Sequence, residues 1–455
     1  MSILDRFVYG TATSSYQIEG AANEGGRDDS IWDTFSKTDG KVFNGDSGEV
    51  ACDHYHRYKE DVELLEEIGV DAYRFSIAWP RIISEDGSIK EEGIRFYQNL
   101  LLELKSKKIK TCATLYHWDL PQWLEDKGGW CYRNICDYFL SYAKVCFEYF
   151  DDLVDMWITL NEPWCSSILG YLSGEHAPGI QSVEKAIISS HHLLLAHGVV
   201  MNYYKNELKG TKPIGITLNL TPIYAKTSSY QDLIAVNNHD GFTNRWFLDP
   251  IFNGNYPMDM INLYSQFIAD FSFIREGDLT LISIPNDFLG INYYSRQLVE
   301  FNAESDFLFQ AADSNYPKTA MGWDVSINEF KDLICRIRKD YTHLPILITE
   351  NGAAYNDKLE VNGLVHDIER TNYINAHIDM VERLNEEGYN IKGYYLWSFL
   401  DNFEWAYGYE KRFGMVYVDF KTQQRYLKDS AKSYHQRIKS RKKNQNLHEG
   451  EDELD

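Results

Sequence analysis

A chain of 455 residues with 44% hydrophobic content can bury a large core, while its net charge of −23 disfavours phosphate backbones and anionic lipid. No nucleic-acid or membrane partner is therefore expected, and no stretch approaches the roughly 20 apolar residues of a membrane helix. The aromatic share of 15%, with 11 Trp and 32 Tyr, suits either a ligand stacked on rings or simply a large aromatic core.

The opening MSILDRFVYGTATSS has no basic segment followed by an apolar run. Seven scattered cysteines form no C-x-x-C pair, which fits a reducing, cytoplasmic setting. FVYGTATS (7–14) is the first strand-like run. The segment 58–68 follows, with Leu64, Leu65 and Ile68 at helical spacing and charges on the other face. AYRFSIAW (72–79) then precedes a helical segment over 94–105. The series continues with TCATLYHW (111–118), MWITLNEP (156–163), PIGITLNL (213–220), DFLGINYYS (287–295) and PILITENG (345–352). A helix over 367–387 leads to the last run, GYYLWSFLD (393–401). Residues 441–455 are highly charged and almost free of apolar side chains, so a disordered tail is expected there after one catalytic domain over 1–440.

Eight strands alternating with helices imply one α/β domain, a single (β/α)8 TIM barrel with long loops at its C-terminal face. The alternative is a doubly wound open sheet, which calls for a glycine-rich phosphate turn after its first strand, and YGTATSSYQ is not one. Run after run ends in a functional-looking side chain: Gln17, Arg74, His117, Asn161 with Glu162, Asn219, Asn292 with Tyr294, Glu350 and Trp397. Singly each reads as a strand-end cap. In a barrel all of them converge on the one mouth where active sites are built.

Two apolar runs end in glutamate, ITLNEP and ILITENG. A carboxylate there is costly to bury unless it is hydrogen-bonded or paired. Paired carboxylates across a pocket suggest glycoside hydrolysis, one protonating the leaving oxygen and the other attacking the sugar carbon. The competing explanation is a structural pair in which each Glu caps a following helix.

At these residues the chain closely resembles glycoside hydrolase family 1, the β-glucosidase family. The resemblance runs from about Phe7 to Tyr434 and is carried by FVYGTATSSYQIEGA, YRFSIAWPRI, YHWDLPQWL, WITLNEP, FLGINYYS, ITENG and YYLWSFLDNFEWAYGYEKRFGMVYVD, in that order. It implies a retaining β-glucosidase with Glu162 as general acid/base and Glu350 as nucleophile, their carboxyls about 5–5.5 Å apart. Arg74 and Tyr294 are implied to keep Glu350 ionised and oriented. Gln17, His117, Asn161, Glu404 and Trp405 match the positions that hold the non-reducing sugar, with Trp397 as its stacking platform.

Relatives acting on 6-phosphorylated sugars carry small polar and basic residues where this chain has DNFEW (401–405), so Glu404 implies rejection of a phosphate. Unphosphorylated β-glucosides such as cellobiose, short cello-oligosaccharides and aryl glucosides follow, with side activity on β-galactosides or β-fucosides and with transglycosylation. Trp323 matches the residue that stacks the aglycone, and Asn219, Trp164, Cys165 and His176 are assigned to the same entrance. No cofactor is needed, because two carboxylates suffice. His191, His192 and His197 are read as packed on an outer helix, with no carboxylate at ligand spacing and no metal expected. A catalytically silent sugar-binding barrel is the other reading, and retention of Glu162, Glu350, Arg74 and Tyr294 argues against it. Monomer and homo-oligomer are equally compatible with the sequence.

Overall fold

The computed structural model describes residues 2–452, with side chains through 442. Its centre is eight parallel strands: β1 (Val8–Ala12), β2 (Ala72–Ser76), β3 (Lys110–Tyr116), β4 (Met156–Asn161), β5 (Ile214–Asn219), β6 (Leu289–Asn292), β7 (Ile346–Asn351) and β8 (Ile391–Trp397). They pair in chain order, and β8 returns to β1 with a register running from Val8↔Gly393 to Ala12↔Trp397, which closes the barrel. The expected (β/α)8 barrel is thus the architecture found. Its strands are covered on both faces and read as largely apolar runs because almost every strand residue is buried, with Lys110, Asn219 and Lys392 the partly exposed ones.

The helices outside include α1 (His54–Ile68), α2 (Glu91–Ser106), α3 (Ile135–Phe150), α4 (Val183–Asn202), α5 (Tyr230–Asp240), α6 (Asn328–Asp340), α7 (Ile368–Glu386) and α8 (Asp429–Asp452). α1 and α2 begin before 58 and 94, since their first turns are polar and carry no apolar periodicity. α8 continues through the stretch expected to be a tail, while residues 453–455 lie outside those described. Among the described residues no helix is long and apolar enough to cross a membrane.

Two apolar clusters hold this arrangement. The larger fills the space between strands and helices. The smaller plugs the barrel with Val8, Ala72, Cys112, Met156, Phe288 and Leu347, and meets Trp397 and Phe413 at its upper end. Gly352, two residues after Glu350, lies so close to β8 that an added Cβ would stand 1.8 Å from the Trp397 carbonyl. That contact requires glycine and brings the ends of β7 and β8 together.

A buried ionic cluster anchors the loop after β8. Lys428 pairs with Asp401 at 2.7 Å and with Asp357, while Arg370 pairs with Asp357 and Asp367 and Arg412 pairs with Asp401. Removing one member leaves its partners charged and unpaired in the interior. Lys428→Ala is expected to destabilise the fold by about 3–5 kcal/mol, read as a lower unfolding midpoint in urea, and to raise KM more than it lowers kcat because the 401–405 loop loosens.

Candidate active site

The strands end where the site begins. Arg74, Asn161, Asn219, Asn292, Glu350 and Trp397 lie within hydrogen-bonded strands; Gln17, His117, Glu162 and Tyr294 fall beyond them. Register shifts lie between Ile158 and Asn161 on β4 and between Ile348 and Glu350 on β7, the two strands that lead to the glutamates. Such irregularities re-aim side chains next to a site. Glu162, Trp118 and Trp405 also hold positive φ values of 47°, 77° and 51°. These sparsely populated conformations cost on the order of 1 kcal/mol or more each and persist only where their surroundings over-determine them.

Glu350 is held from two sides. Arg74, fully buried, donates from Nη1 to Oε1 at 2.6 Å, and the Tyr294 hydroxyl donates to Oε2 at 2.6 Å. Burial pushes the Glu350 carboxyl up, and the Arg74 charge with the Tyr294 and Arg74 hydrogen bonds opposes it. Glu162 has neutral partners: Asn292 Nδ2 donates to Oε1 at 2.6 Å and Cys165 Sγ to Oε2 at 3.0 Å. Burial first and the Glu350 charge second push Glu162 up to about 7. The proton of the pair therefore belongs on Glu162, since only Glu350 has a cation in contact.

A hydrogen-bond chain joins the two carboxyls. Arg74 Nη2 donates to Asn161 Oδ1 at 2.6 Å, and Asn292 Nδ2 donates to that same oxygen at 3.0 Å. Asn161 Nδ2 donates to His117 Nε2 at 3.1 Å, which leaves the buried His117 Nδ1 without a protein partner. Burial and the nearby Arg74 push His117 well below its ordinary value, so the ring is neutral. It lies nearly parallel to the indoles of Trp397 and Trp405, at 5.9 Å and 6.1 Å between centroids.

Glu404 sits in the same pocket with its buried Oε2 unpartnered. Burial, then the charges of Glu350 and Glu162, push it up to about 8. This modifies the expectation of an anion at that position: near neutral pH Glu404 is a carboxylic acid that can donate as well as accept. Both amide hydrogens of Gln17 are spent on Asn402 Oδ1 and the Phe403 carbonyl, holding the loop that carries Glu404.

The residues assigned to the entrance divide. Trp323 stands beside Tyr294, with ring centroids 5.4 Å apart, and Asn219 is half-buried at the end of β5. Trp164 packs edge-on to Phe242. Cys165 instead reaches Glu162, and His176 packs among Trp32, Trp118 and Trp405 behind the pocket. Local spacing could not separate these, because Trp323, Trp164 and His176 face partners from distant segments, and the direction of the Cys165 side chain is set by the helical turn it begins. Asn292 is a member of the site that the sequence marked as a strand end without assigning it a role. On α4, His191 does meet a carboxylate, Asp278 at 2.9 Å from 87 positions away, and also Tyr256; His192 bonds the Trp130 carbonyl and His197 the Thr159 hydroxyl. The expectation of no carboxylate holds only for near sequence neighbours.

The chain is similar to known glycosidases over nearly its whole length. A model of glycosyl hydrolase family 1 matches residues 2–443. A β-glucosidase A from Acetivibrio thermocellus is 44% identical over 438 residues, covering 95% of this chain and 97% of that protein. A bifunctional β-D-glucosidase/β-D-fucosidase from Bifidobacterium breve is 42% identical over 447 residues, covering 93% of this chain and 95% of that one. The crystal structure of a β-glucosidase from Exiguobacterium antarcticum B7 superposes with a TM-score of 0.95 at 57% identity, over 97% of this chain and 99% of that chain.

Proposed function

The chain belongs to glycosyl hydrolase family 1, and from that membership we propose that it is a retaining β-glucosidase acting on terminal, non-reducing, unphosphorylated β-D-glucosyl residues. Glu350 attacks the anomeric carbon while Glu162 passes its proton to the leaving oxygen, so the C1–O bond breaks and a glycosyl ester forms on Glu350. Water then attacks C1 as Glu162 takes its proton, and the ester oxygen leaves as the Glu350 carboxylate. The observation that carries this reading is the unequal support of the two carboxyls, a guanidinium and a phenol on Glu350 against an amide and a thiol on Glu162.

In this reading His117, Asn161, Glu404, Trp405 and Gln17 surround the sugar, and Trp397 is its apolar floor. Trp323 receives the aglycone beside Tyr294, with Asn219 and Trp164 further out. Cellobiose, short cello-oligosaccharides and aryl β-glucosides are the substrates, with β-fucosides and β-galactosides as side substrates and with transglycosylation when acceptors are plentiful. Glu404, able to donate and accept, suits either orientation of O4. Seven free thiols suit a reducing compartment such as the cytoplasm.

The test is incubation with a chromogenic aryl β-glucoside between pH 5 and 8, where absence of turnover at every pH sinks the reading. Comparison with the 6-phosphate of that substrate is expected to show at least ~100-fold lower kcat/KM for the phosphate, because a pocket holding three carboxyls opposes a second anion. The discrimination should widen as pH rises through about 8 and Glu404 ionises. Preference for the phosphate would overturn the role given to Glu404.

A further inference from the structure

Glu162 can donate its proton from either carboxyl oxygen, and the hydrogen bonds around it distinguish the two. Arginine can only donate, so the Asn161 atom receiving Arg74 Nη2 is the amide oxygen. That oxygen also meets the Asn292 side chain at 3.0 Å, so the Asn292 atom facing it is nitrogen. The same nitrogen lies 2.6 Å from Glu162 Oε1, and its two hydrogens are thereby spent on Asn161 and Glu162. The other end of the amide, Oδ1, accepts from the Thr349 hydroxyl at 2.8 Å. Glu162 Oε1 is consequently bound to present a lone pair in both protonation states. In a neutral carboxyl the carbonyl oxygen is the better acceptor, which leaves the proton to Oε2. The side chain in contact with Oε2 is Cys165, one turn further along the chain at the start of the wide π-helical segment Cys165–Ser173.

We propose that the catalytic proton is carried on Glu162 Oε2 and that Cys165 is its positioning residue, a neutral thiol that accepts from the acid form and donates to the base form of that oxygen. This rests on the reading of Glu162 as the acid/base. A thiol is suited to the position because it is both a weak donor and a weak acceptor, so it follows Glu162 through both half-reactions without a change of charge. Burial and the Glu162 charge hold Cys165 well above the ordinary thiol value, so it keeps its hydrogen and is no competing nucleophile. Glu162 is otherwise faced by Glu350 from β7, Arg74 from β2, Asn292 and Tyr294 from β6 and the turn after it, and Glu404 from the loop after β8. Substitutions at 165 leave all of these in place, so a difference between variants reports the thiol.

The experiment is the pH profile of kcat/KM on an aryl β-glucoside with a poor leaving group, for the full-length protein, Cys165→Val and Cys165→Ser. Valine matches the thiol in size and cannot hydrogen-bond; the bond a thiol donates to a charged carboxylate is stronger than the one it accepts from the neutral acid, so losing both should move the basic limb up by about half to one pH unit. Serine, the stronger donor, should move it below that of the unchanged protein, so the order Val above Cys above Ser is expected. The Ser comparison decides the matter by itself if the Val variant fails to fold. A basic limb within about 0.2 units in all three folded proteins, or the reverse order, overturns the proposal. Glu162→Ala is run alongside. If that variant keeps the basic limb, the acid/base reading itself has failed; if it loses the limb while the Cys165 variants match the unchanged protein, only the role of Cys165 has.

Discussion

Glu350→Gln is expected to lower kcat by about 10⁴-fold or more while the barrel stays folded. The amide oxygen can still accept from Arg74, whereas the amide nitrogen then faces the Tyr294 hydroxyl, which must accept where it now donates to Glu350. What disappears is the negative charge and with it the nucleophile, and no other carboxyl in the pocket has a cation holding it ionised. Arg74 then stands in the barrel interior without its counter-ion, and breaking a buried pair in this way costs on the order of 3–5 kcal/mol. A lower unfolding midpoint should therefore accompany the loss of turnover, and measuring both separates chemistry from folding. A variant with a small residue, Glu350→Gly, opens space on the face from which Glu350 attacks. Added azide should occupy it and yield an α-glycosyl azide, because one direct displacement inverts the β-linkage. Formation of the β-azide would show that an ester still forms and that the two roles have been exchanged.

Glu162→Ala should divide substrates by their leaving groups. For a poor leaving group kcat/KM is expected to fall by about 10²–10⁴-fold, the usual worth of a positioned proton donor. A dinitrophenyl glycoside, whose oxygen departs without a proton, should keep most of its kcat/KM and stall at hydrolysis of the ester. Azide needs no base, so it should raise kcat on that substrate and give the β-glycosyl azide by two successive inversions. The pH profile supplies an independent reading. Glu162 donates only when protonated, and burial with the Glu350 charge pushes it up to about 7. In the unchanged protein kcat/KM should consequently fall as pH rises through about 7, and this limb should vanish in Glu162→Ala. Persistence of the limb would overturn the reading of Glu162 as acid/base and assign the limb to another group, Glu404 first, which burial pushes up to about 8.

The two carboxyls differ in their neighbours, not in residue type, and those neighbours were unequally visible beforehand. Both glutamates end apolar runs, a local pattern that needs no partner to be read. Arg74 lies 276 positions from Glu350, and Asn292 lies 130 from Glu162. Such contacts follow from barrel closure and strand register, which place Glu350 opposite Asn292 and Asn161 opposite Thr217. Cys165 is the plainest case. The resemblance assigns it to the entrance along with Asn219, Trp164 and His176; the direction of its side chain depends on the wide helical turn that begins there.

By itself the sequence determined that eight buried strands alternate with helices, that their ends carry the chemistry, and that Glu162 and Glu350 are the pair to examine. Those features are local: an apolar run is a strand wherever it pairs, and a polar residue at its end must face the mouth. The tertiary structure alone decided which hydrogen bond reaches which oxygen. It set a cation on Glu350, an amide and a thiol on Glu162, the Gln17 amide on its own loop and an acid at Glu404 near neutral pH. Protonation depends on burial and on charges within a few ångströms, and in a closed barrel those charges come from strands hundreds of residues apart.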